Sequence, residues 1–309
     1  MKNNIIEQDV YKLIEKINFK KINNKSILVT GASGIIGTYI LETLYQLDKK
    51  FKFKVYFVHK NKIPNHLKKL VKKRNFVSLK YDLSNLKNIK NLPRCDIIFH
   101  LAGYGQPLKF LGKKLETITL NTTITMHLLN SLNKNGYFLY GSSSEVYSGI
   151  NKKSLKEDLV GKIDPYENRS SYIYSKLIGE NIVGIFNENG VNAKSARIST
   201  AYGPGTKIDD TRVINQLIYK GIKNNVINLL DDGSALRPFC YISDTIEILW
   251  RIMFDGKDRV YNVGTPKLTS IIVLAKLIGE ELGVKVVAKK NKNALNAPKK
   301  VNLDIGRVS

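Results

Sequence analysis

The sequence predicts a doubly wound α/β fold, a parallel sheet with helices on both faces, and three observations carry that expectation. Short apolar runs suited to buried strands recur at residues 26–30, 53–58, 76–80, 96–101, 137–140 and 191–198. Helical patterns fill most of the gaps between them, and strands alternating with helices imply parallel pairing. A glycine-rich turn follows the first strand directly and opens a helix that runs to about residue 47. Before that strand, Ile6, Val10, Leu13, Ile14 and Ile17 recur at helical spacing, so residues 5–17 form an amphipathic extension that packs on the body. Residues 172–187 read as another long helix. Beyond Gly203-Pro204-Gly205 the regularity weakens: 210–222, 243–254 and 269–282 are helical, 226–229 extended, and 264–266 a turn. The expected organisation is therefore a helical extension (1–24), a sheet domain (25–198) and a smaller C-terminal substrate domain (mainly 199–309). Part of 237–263 is expected to return to the sheet.

A chain of 309 residues with 43% hydrophobic content can bury a large core. No stretch approaches the roughly 20 apolar residues of a membrane helix. The first 25 residues mix charge with apolar side chains, unlike a signal peptide, so no membrane partner and a cytoplasmic protein are expected. Cys95 and Cys240 lie far apart with no CxxC spacing, consistent with a reducing compartment. His59, His66, His100 and His127 are scattered without ligand spacing, so no metal is expected. The net charge is +24, from 50 Lys and Arg against 26 Asp and Glu. Only nine of those cations are Arg, and the Lys residues are spread along the chain among Asn and Ile, which argues against a nucleic-acid groove. The dense run 68–74 reads as a solvated helix face.

Residues 30–37 read TGASGIIG. In a strand–turn–helix context Gly31 permits the tight turn, Gly34 lets backbone approach a pyrophosphate, and Gly37 lets helix and strand pack closely. The helix N-terminus then faces the anion, which makes the fold Rossmann-type and assigns dinucleotide contact to Gly31, Ser33, Gly34, Ile35, Ile36 and Gly37. An acid at the end of the second strand would bind the adenosine ribose of NAD. Here that strand runs into His59-Lys60-Asn61-Lys62, whose bases suit the 2′-phosphate of NADP or are merely solvated.

Tyr172 and Lys176 are four residues apart in a helical stretch and share a face. A nearby ammonium favours the phenolate of a tyrosine, which is otherwise a poor base at neutral pH. With TGASGIIG, these residues join His100-Leu101-Ala102-Gly103 after the fourth strand, Ser142-Ser143-Ser144-Glu145-Val146-Tyr147 after the fifth, and Tyr172-Ile173-Tyr174-Ser175-Lys176. Together they resemble the extended short-chain dehydrogenase/reductases, and more narrowly the nucleotide-sugar epimerase/dehydratase family, across residues 26–306.

That resemblance implies an enzyme, Tyr172 as base, Lys176 as its electrostatic partner, and Ser143 on the sugar hydroxyl being oxidised. It implies a nicotinamide cofactor, usually NAD, also contacted by Asp82, Leu83, Leu101, Ala102 and Gly103. Loss of the 4-hydroxyl proton lets hydride leave, and the resulting ketone permits decarboxylation, epimerisation or dehydration before hydride returns. Glu145 matches a family position placed for acid or base work, with a charge-paired structural role as the alternative. Tyr202-Gly203-Pro204, Asp210-Thr211-Arg212-Val213 and the run from Arg237 to Asp244 resemble segments that clamp the nucleotide diphosphate. Ser144, Arg169, Thr200, Arg212 and Arg237 are accordingly the substrate candidates, the arginines offering planar forks for phosphate. Asp-x-Arg-Val, Arg169-x-x-Tyr172 and Ser-Ser-Glu-Val-Tyr resemble UDP-glucuronate decarboxylases most closely. Three positions depart from that branch: Thr200 replaces an Asn, Gly205 an Arg, and Val301 falls where decarboxylases carry an Arg. The family also implies a homodimer pairing helices at 115–132 and 172–187. Two other readings stand beside this one. One is an NADPH-dependent nucleotide-4-ketosugar reductase, favoured by His59-Lys60 and disfavoured by Glu145. The other is a non-catalytic dinucleotide- or nucleic-acid-binding protein, favoured only by the basic charge.

Overall fold

The computed structural model describes residues 4–207, 209–289 and 300–308. Helix α1 (Ile5–Ile14) comes first, with Asn4 accepting the Ile6 N–H at its start. Strand β1 (Lys25–Thr30), α2 (Ile35–Leu47), β2 (Phe53–His59), β3 (Phe76–Lys80) and β4 (Cys95–His100) follow. Helices α3 (Pro107–Gly112), α4 (Lys114–Asn121) and α5 (Thr123–Asn130) lead to β5 (Leu132–Ser143), and α6 (Ser170–Glu188) leads to β6 (Asn192–Ile198). Then come β7 (Thr200–Tyr202), α7 (Val213–Asn224), β8 (Val226–Asn228), β9 (Leu236–Arg237) and β10 (Phe239–Tyr241). The order closes with α8 (Ile242–Asp255), β11 (Val260–Val263), β12 (Thr269–Ser270), α9 (Ile271–Leu282) and β13 (Lys285–Val287).

Seven strands make one sheet in the order β3-β2-β1-β4-β5-β6-β11, and every neighbouring pair is parallel. Both faces are buried because alternate residues of the inner strands feed two different cores. Ile27 and Val29 of β1, Ile97 and Phe99 of β4 and Leu139 of β5 join α1, α2 and α8. Leu28, Ile98, Phe138 and Tyr140 point the other way, into a core with α5 and α6 residues such as Ile124, Leu128 and Val183. Trp250 of α8 is fully buried on the first face, 4.7 Å from Phe99 and 5.1 Å from Phe19 between ring centroids. So α8 and β11, late in sequence, belong to the sheet layer. The smaller region pairs β13 with β8 and packs α7 on α9 around Leu217, Ile227, Leu229 and Ala275. No helix among the described residues is long and apolar enough to cross a membrane.

Two segments differ from their sequence pattern. The stretch expected as one helix at 115–132 is two, broken at Thr122 (φ −114°, ψ −79°). The hydroxyls of Thr117, Thr119, Thr122 and Thr125 each donate to the carbonyl four residues earlier, an arrangement that bends helices. The lysine run 68–74 forms no α-helix; its short 3-10 turns sit at Asn65–Leu67 and Leu70–Lys72. It is not simply solvated, because Lys69 pairs with Glu7 and Glu42, and Lys73 with Asp48.

The glycine turn is fixed by close backbone approach. Gly31 has φ +70°, and a Cβ there would lie 2.5 Å from the Leu101 carbonyl oxygen. At Gly37 a Cβ would lie 2.5 Å from the Gly31 carbonyl oxygen and 2.9 Å from Ala32 Cα. Backbone cannot yield as a flexible side chain would. Gly37→Ala is therefore expected to lift α2 from β1 and cost about 1–3 kcal/mol, read by urea denaturation, with dinucleotide affinity falling in parallel.

Candidate active site

The strand order turns back on itself between β1 and β4, and at their carboxyl ends a cleft of about 720 Å³ opens. The glycine turn forms one wall. Gly34 caps α2 without a side-chain hydrogen bond and the first turn carries no acid, leaving N–H groups and a positive dipole end toward the cleft. Gly31, Ser33, Gly34, Ile35, Ile36 and Gly37 line it, as do Leu101, Ala102 and Gly103 beyond β4.

Behind that wall lies a buried relay. The Leu120 carbonyl accepts from His100 Nε2 at 3.0 Å, so Nδ1 of the neutral ring accepts from the Thr30 hydroxyl at 2.9 Å. Burial pushes His100 down to about 3, which keeps the ring neutral. The Thr30 oxygen in turn accepts the N–H groups of Leu101 and Ala102, each at 3.1 Å, tying the β4 loop to β1.

At the far end, His59, Lys60, Asp82 and Leu83 also line the cleft, but the two basic residues are occupied. His59 is buried; Nδ1 donates to the Asn61 carbonyl and Nε2 shares a hydrogen with the Ser78 hydroxyl. Lys60 is 2.6 Å from Asp82 and donates to the Tyr104 hydroxyl.

The candidate catalytic side chains converge at the centre. Tyr172 and Lys176 rise from α6, while Ser143 and Glu145 lie at and just beyond the end of β5, and all four line the cleft. Tyr172 lines the cleft together with Ser143, whose oxygen accepts the Glu145 N–H at 3.2 Å. Phe110 stacks on Tyr172 at 4.3 Å and 12°, a contact with no signal in the sequence. Lys176 Nζ donates to the Gly141 carbonyl at 2.6 Å and sits over the rings of Tyr140 (4.9 Å) and Tyr172 (5.8 Å). Glu145 is paired with Arg169, at 2.7 Å from Nη2 and 3.1 Å from Nε.

The spacing argument expects the ammonium to lower the tyrosine. Instead, in the cofactor-free protein burial pushes Tyr172 up to about 12. The nearby Ser143 hydroxyl opposes this shift, Glu145 adds to it, and Arg169 and Arg212 oppose it. Burial likewise drives Lys176 down to about 7, against the pull of Glu180. Desolvation outweighs the mutual attraction because both groups lie under Phe110, Tyr140 and the sheet end.

The match to known proteins covers the same architecture. Residues 27–264 match the model of the NAD dependent epimerase/dehydratase family. This chain belongs to that family. As a member it is an enzyme that works with a nicotinamide dinucleotide. It is 28% identical to a UDP-glucuronic acid decarboxylase (number 6) of Arabidopsis thaliana over 92% of this chain and 82% of the relative. Among solved structures it resembles a UDP-glucuronic acid 4-epimerase from Bacillus cereus, crystallised with UDP-glucuronic acid and NAD. The TM-score is 0.76 at 24% identity, covering 92% and 91% of the two chains. A dTDP-glucose 4,6-dehydratase of Streptomyces venezuelae superposes with the same TM-score at 18% identity, covering 92% and 89%.

In this epimerase/dehydratase the substrate candidates divide. Ser144, Thr200 and Arg212 line the cleft; Arg169 and Arg237 do not. Arg212 is clamped by Asp210, with Nη2 to Oδ2 at 2.7 Å and Nε to Oδ1 at 3.0 Å. Arg237, on β9, donates only to the Leu236 carbonyl and has no carboxylate partner among the described residues, though it feels the charges of Glu145 and Arg169. Val301 packs in an apolar cluster with Val146, Tyr147, Leu155 and Leu303, so it offers no cation. Sequence reasoning missed Tyr104 and Gln106, polar loop residues with no motif of their own, and named Asp210 only within the Asp-x-Arg-Val run, not as the clamp on Arg212.

The depressed Lys176 carries a stability signature. Unfolded, it titrates near its ordinary 10.5; folded, near about 7. Between those values the unfolded chain holds the extra proton, so cofactor-free stability rises with pH from about 7 to about 10.5, while below about 7 both states are protonated and the cost of the buried charge is fully present and flat. Lys176→Met lacks the buried charge. It is expected to be more stable than wild type at neutral pH, on the order of a few kcal/mol, with the advantage shrinking toward pH 10 in denaturant titrations.

Proposed function

We propose that this enzyme oxidises the C4 hydroxyl of a nucleoside-diphosphate sugar and then rearranges the 4-keto sugar, with decarboxylation of a uronic acid favoured over epimerisation and dehydration. The observation that carries this is the convergence of the Ser143 hydroxyl, the Tyr172 phenol and the Lys176 ammonium, 5.8 Å from the Tyr172 ring centroid, at the switch point of the sheet. The similarity to UDP-glucuronic acid decarboxylases supports the uronic acid. The glycine turn and the 101–103 segment suit the nicotinamide dinucleotide, which when bound supplies the hydride acceptor.

Tyr172 takes the hydroxyl proton, assisted by Ser143, and Lys176 in its ammonium form stabilises the phenolate that receives it. A ketone at C4 acidifies its neighbours and stabilises the carbanion left by a departing carboxylate. Glu145 lies on the Ser143 side, where it can exchange a proton at the reacting carbon; Arg169 holds that carboxylate in place. Arg237, which spends one nitrogen on the Leu236 carbonyl and has no carboxylate partner among the described residues, keeps donors suited to a substrate anion that extends beyond the cleft lining. The pairing of Glu145 with Arg169 also favours a second reading, in which Glu145 is structural and the enzyme is an NADPH-dependent 4-ketosugar reductase.

A homodimer accompanies this reading. Leu115, Ile118 and Met126 on α4 and α5, with Ile178 and Ile185 on α6, are exposed at helical spacings and supply an apolar face suited to a second copy. Ile178→Glu is expected to shift the protein to monomer in light scattering. An unchanged mass, or a dilution-resistant monomer in wild type, would remove the dimer.

Two substitutions test the chemistry with UDP-, dTDP-, GDP- and CDP-sugars analysed by mass spectrometry. Tyr172→Phe is expected to lose about two to four orders of magnitude in turnover while still binding dinucleotide. Glu145→Gln is expected to accumulate reduced nicotinamide absorbance and stall before product. Product formation at the wild-type rate in Glu145→Gln would make the ketoreductase reading lead.

A further inference from the structure

Helix α1 lies before the residues that match the family model, which begin at 27, yet it reaches the wall of the cleft. Ile6, Val10 and Leu13 dock it in the core that α2 and α8 share with the sheet. The Asp9 carboxylate accepts two phenols on one oxygen: Oδ2 lies 2.8 Å from the Tyr39 hydroxyl of α2 and 2.9 Å from the Tyr241 hydroxyl at the end of β10. We propose that Asp9 is a positioning residue, a brace that sets the substrate-side wall of the cleft against the dinucleotide-side wall and so holds the nucleoside-diphosphate-sugar site ready. The part played in sugar binding rests on the proposed function; the brace rests on the geometry alone.

The two phenols belong to opposite walls. Tyr39 follows the cleft-lining stretch Ile35–Gly37 within the first turns of α2. Tyr241 is in register with Tyr202, Cys240 with Ala201 and Phe239 with Thr200, so β10 carries β7, and Thr200 lines the cleft. The Tyr202 and Tyr241 rings meet edge to face with centroids 5.6 Å apart. The turn after β7 leans on the same tyrosine: a Cβ at Gly203 would lie 3.3 Å from Tyr241 Cε2 and 2.5 Å from Ile242 Cγ2. From that turn the Gly203 carbonyl accepts the Thr206 hydroxyl at 2.8 Å, and Thr206 and Lys207 line the cleft. Between them and Gly203, Gly205 rests on both helices, since a Cβ there would lie 3.3 Å from Ile6 Cδ1 of α1 and 3.7 Å from Thr38 Cγ2 of α2.

Docking of α1 does not need this carboxylate, because its buried apolar side chains and the Glu7–Lys69 pair already hold it. What the carboxylate adds is direction. Apolar contact is non-directional, whereas one oxygen accepting two phenols fixes where each of them sits. Burial and then Asp9 push Tyr241 up to about 12, and the same two causes raise Tyr39, so both phenols remain donors through neutral and mildly alkaline pH. Without the brace, β7, β10 and the 203–207 turn sample positions other than the one that lines the cleft. Apparent affinity for a ligand of that wall then falls with the fraction of molecules that is competent to bind, while the steps after binding are unchanged.

The test uses the full chain as wild type, Asp9→Ala, Asp9→Asn, Tyr241→Phe and Tyr39→Phe, with UDP and NAD⁺ binding read by calorimetry and amide exchange at 200–207 by mass spectrometry. Asp9→Ala and Tyr241→Phe are expected to bind UDP about five- to tenfold more weakly and to raise KM for UDP-glucuronic acid by the same factor, with kcat and NAD⁺ affinity within about twofold. Asp9→Asn puts an amide oxygen where Oδ2 stands and is expected to restore UDP affinity to within about twofold of wild type. Tyr39→Phe is the structural control: it removes the other phenol of the same pair, so it lowers the urea midpoint but leaves UDP affinity within about twofold. Tyr241→Phe deletes a single oxygen, so the test stands even where Asp9→Ala fails to fold. Weakening of UDP by Tyr39→Phe as large as that by Tyr241→Phe would reduce Asp9 to a role in stability and overturn the proposal. So would unchanged UDP affinity in Tyr241→Phe, or exchange at 200–207 no faster in Tyr241→Phe than in Tyr39→Phe. A wild type that binds NAD⁺ but neither UDP nor UDP-glucuronic acid would instead overturn the reading of the substrate, and the exchange rates would still decide the brace.

Discussion

Burial of the Arg197 guanidinium constrains the whole catalytic end of the sheet. Arg197 sits in β6 at 3% exposure, where an unpaired charge is untenable, and every one of its nitrogens finds a partner. Nε and Nη2 grip the Glu180 carboxylate of α6, while Nη1 donates to the Tyr147 hydroxyl and to the carbonyls of Glu157 and Leu159. Glu180 also accepts the Ser142 hydroxyl, and Tyr147 passes the network to Asn262, which holds the carbonyls of Leu155 and Asp304. One buried cation thus fixes β5, α6, β6, the turn after Ser143 and the C-terminal segment relative to one another. Losing either member of such a pair costs about 3–5 kcal/mol because the other is left uncompensated. The consequence for chemistry is positional: Ser143 follows the anchored Ser142, and Lys176 precedes Glu180 by one helical turn.

Around that anchor the cleft is built from opposed electrostatic demands. Low dielectric holds Tyr172 protonated and Lys176 close to half-neutral, so the pair is poised away from its reactive charge state. Carboxylates at Asp82, Glu145 and Asp210 neutralise Lys60, Arg169 and Arg212. The surplus of +24 therefore does not gather at the catalytic centre. Among the described residues, Lys62, Lys68 and Lys80, away from the catalytic side chains, carry part of it without a carboxylate partner.

Much of the scaffold is legible in the sequence because its causes are local. TGASGIIG specifies the turn through the steric demand at Gly31 and Gly37, and the apolar runs specify strands because both sheet faces are dry. Helical spacing places Tyr172 and Lys176 on one face of α6. Where competing local bonds enter, periodicity fails: the threonines of 117–125 break one expected helix, and the turns at 65–72 replace another.

By itself, then, the sequence determined the parallel sheet, the dinucleotide turn and the residue types available for proton transfer, since each follows from neighbours within a turn or strand. Only the tertiary structure decided which of those residues are free to act. Glu145 meets Arg169 across 24 residues, Lys60 meets Asp82 from the adjacent loop, and Phe110 covers Tyr172 from a different helix. Pairing and desolvation depend on what lies within a few ångströms, and that distance is set by the folding of the sheet rather than by position along the chain.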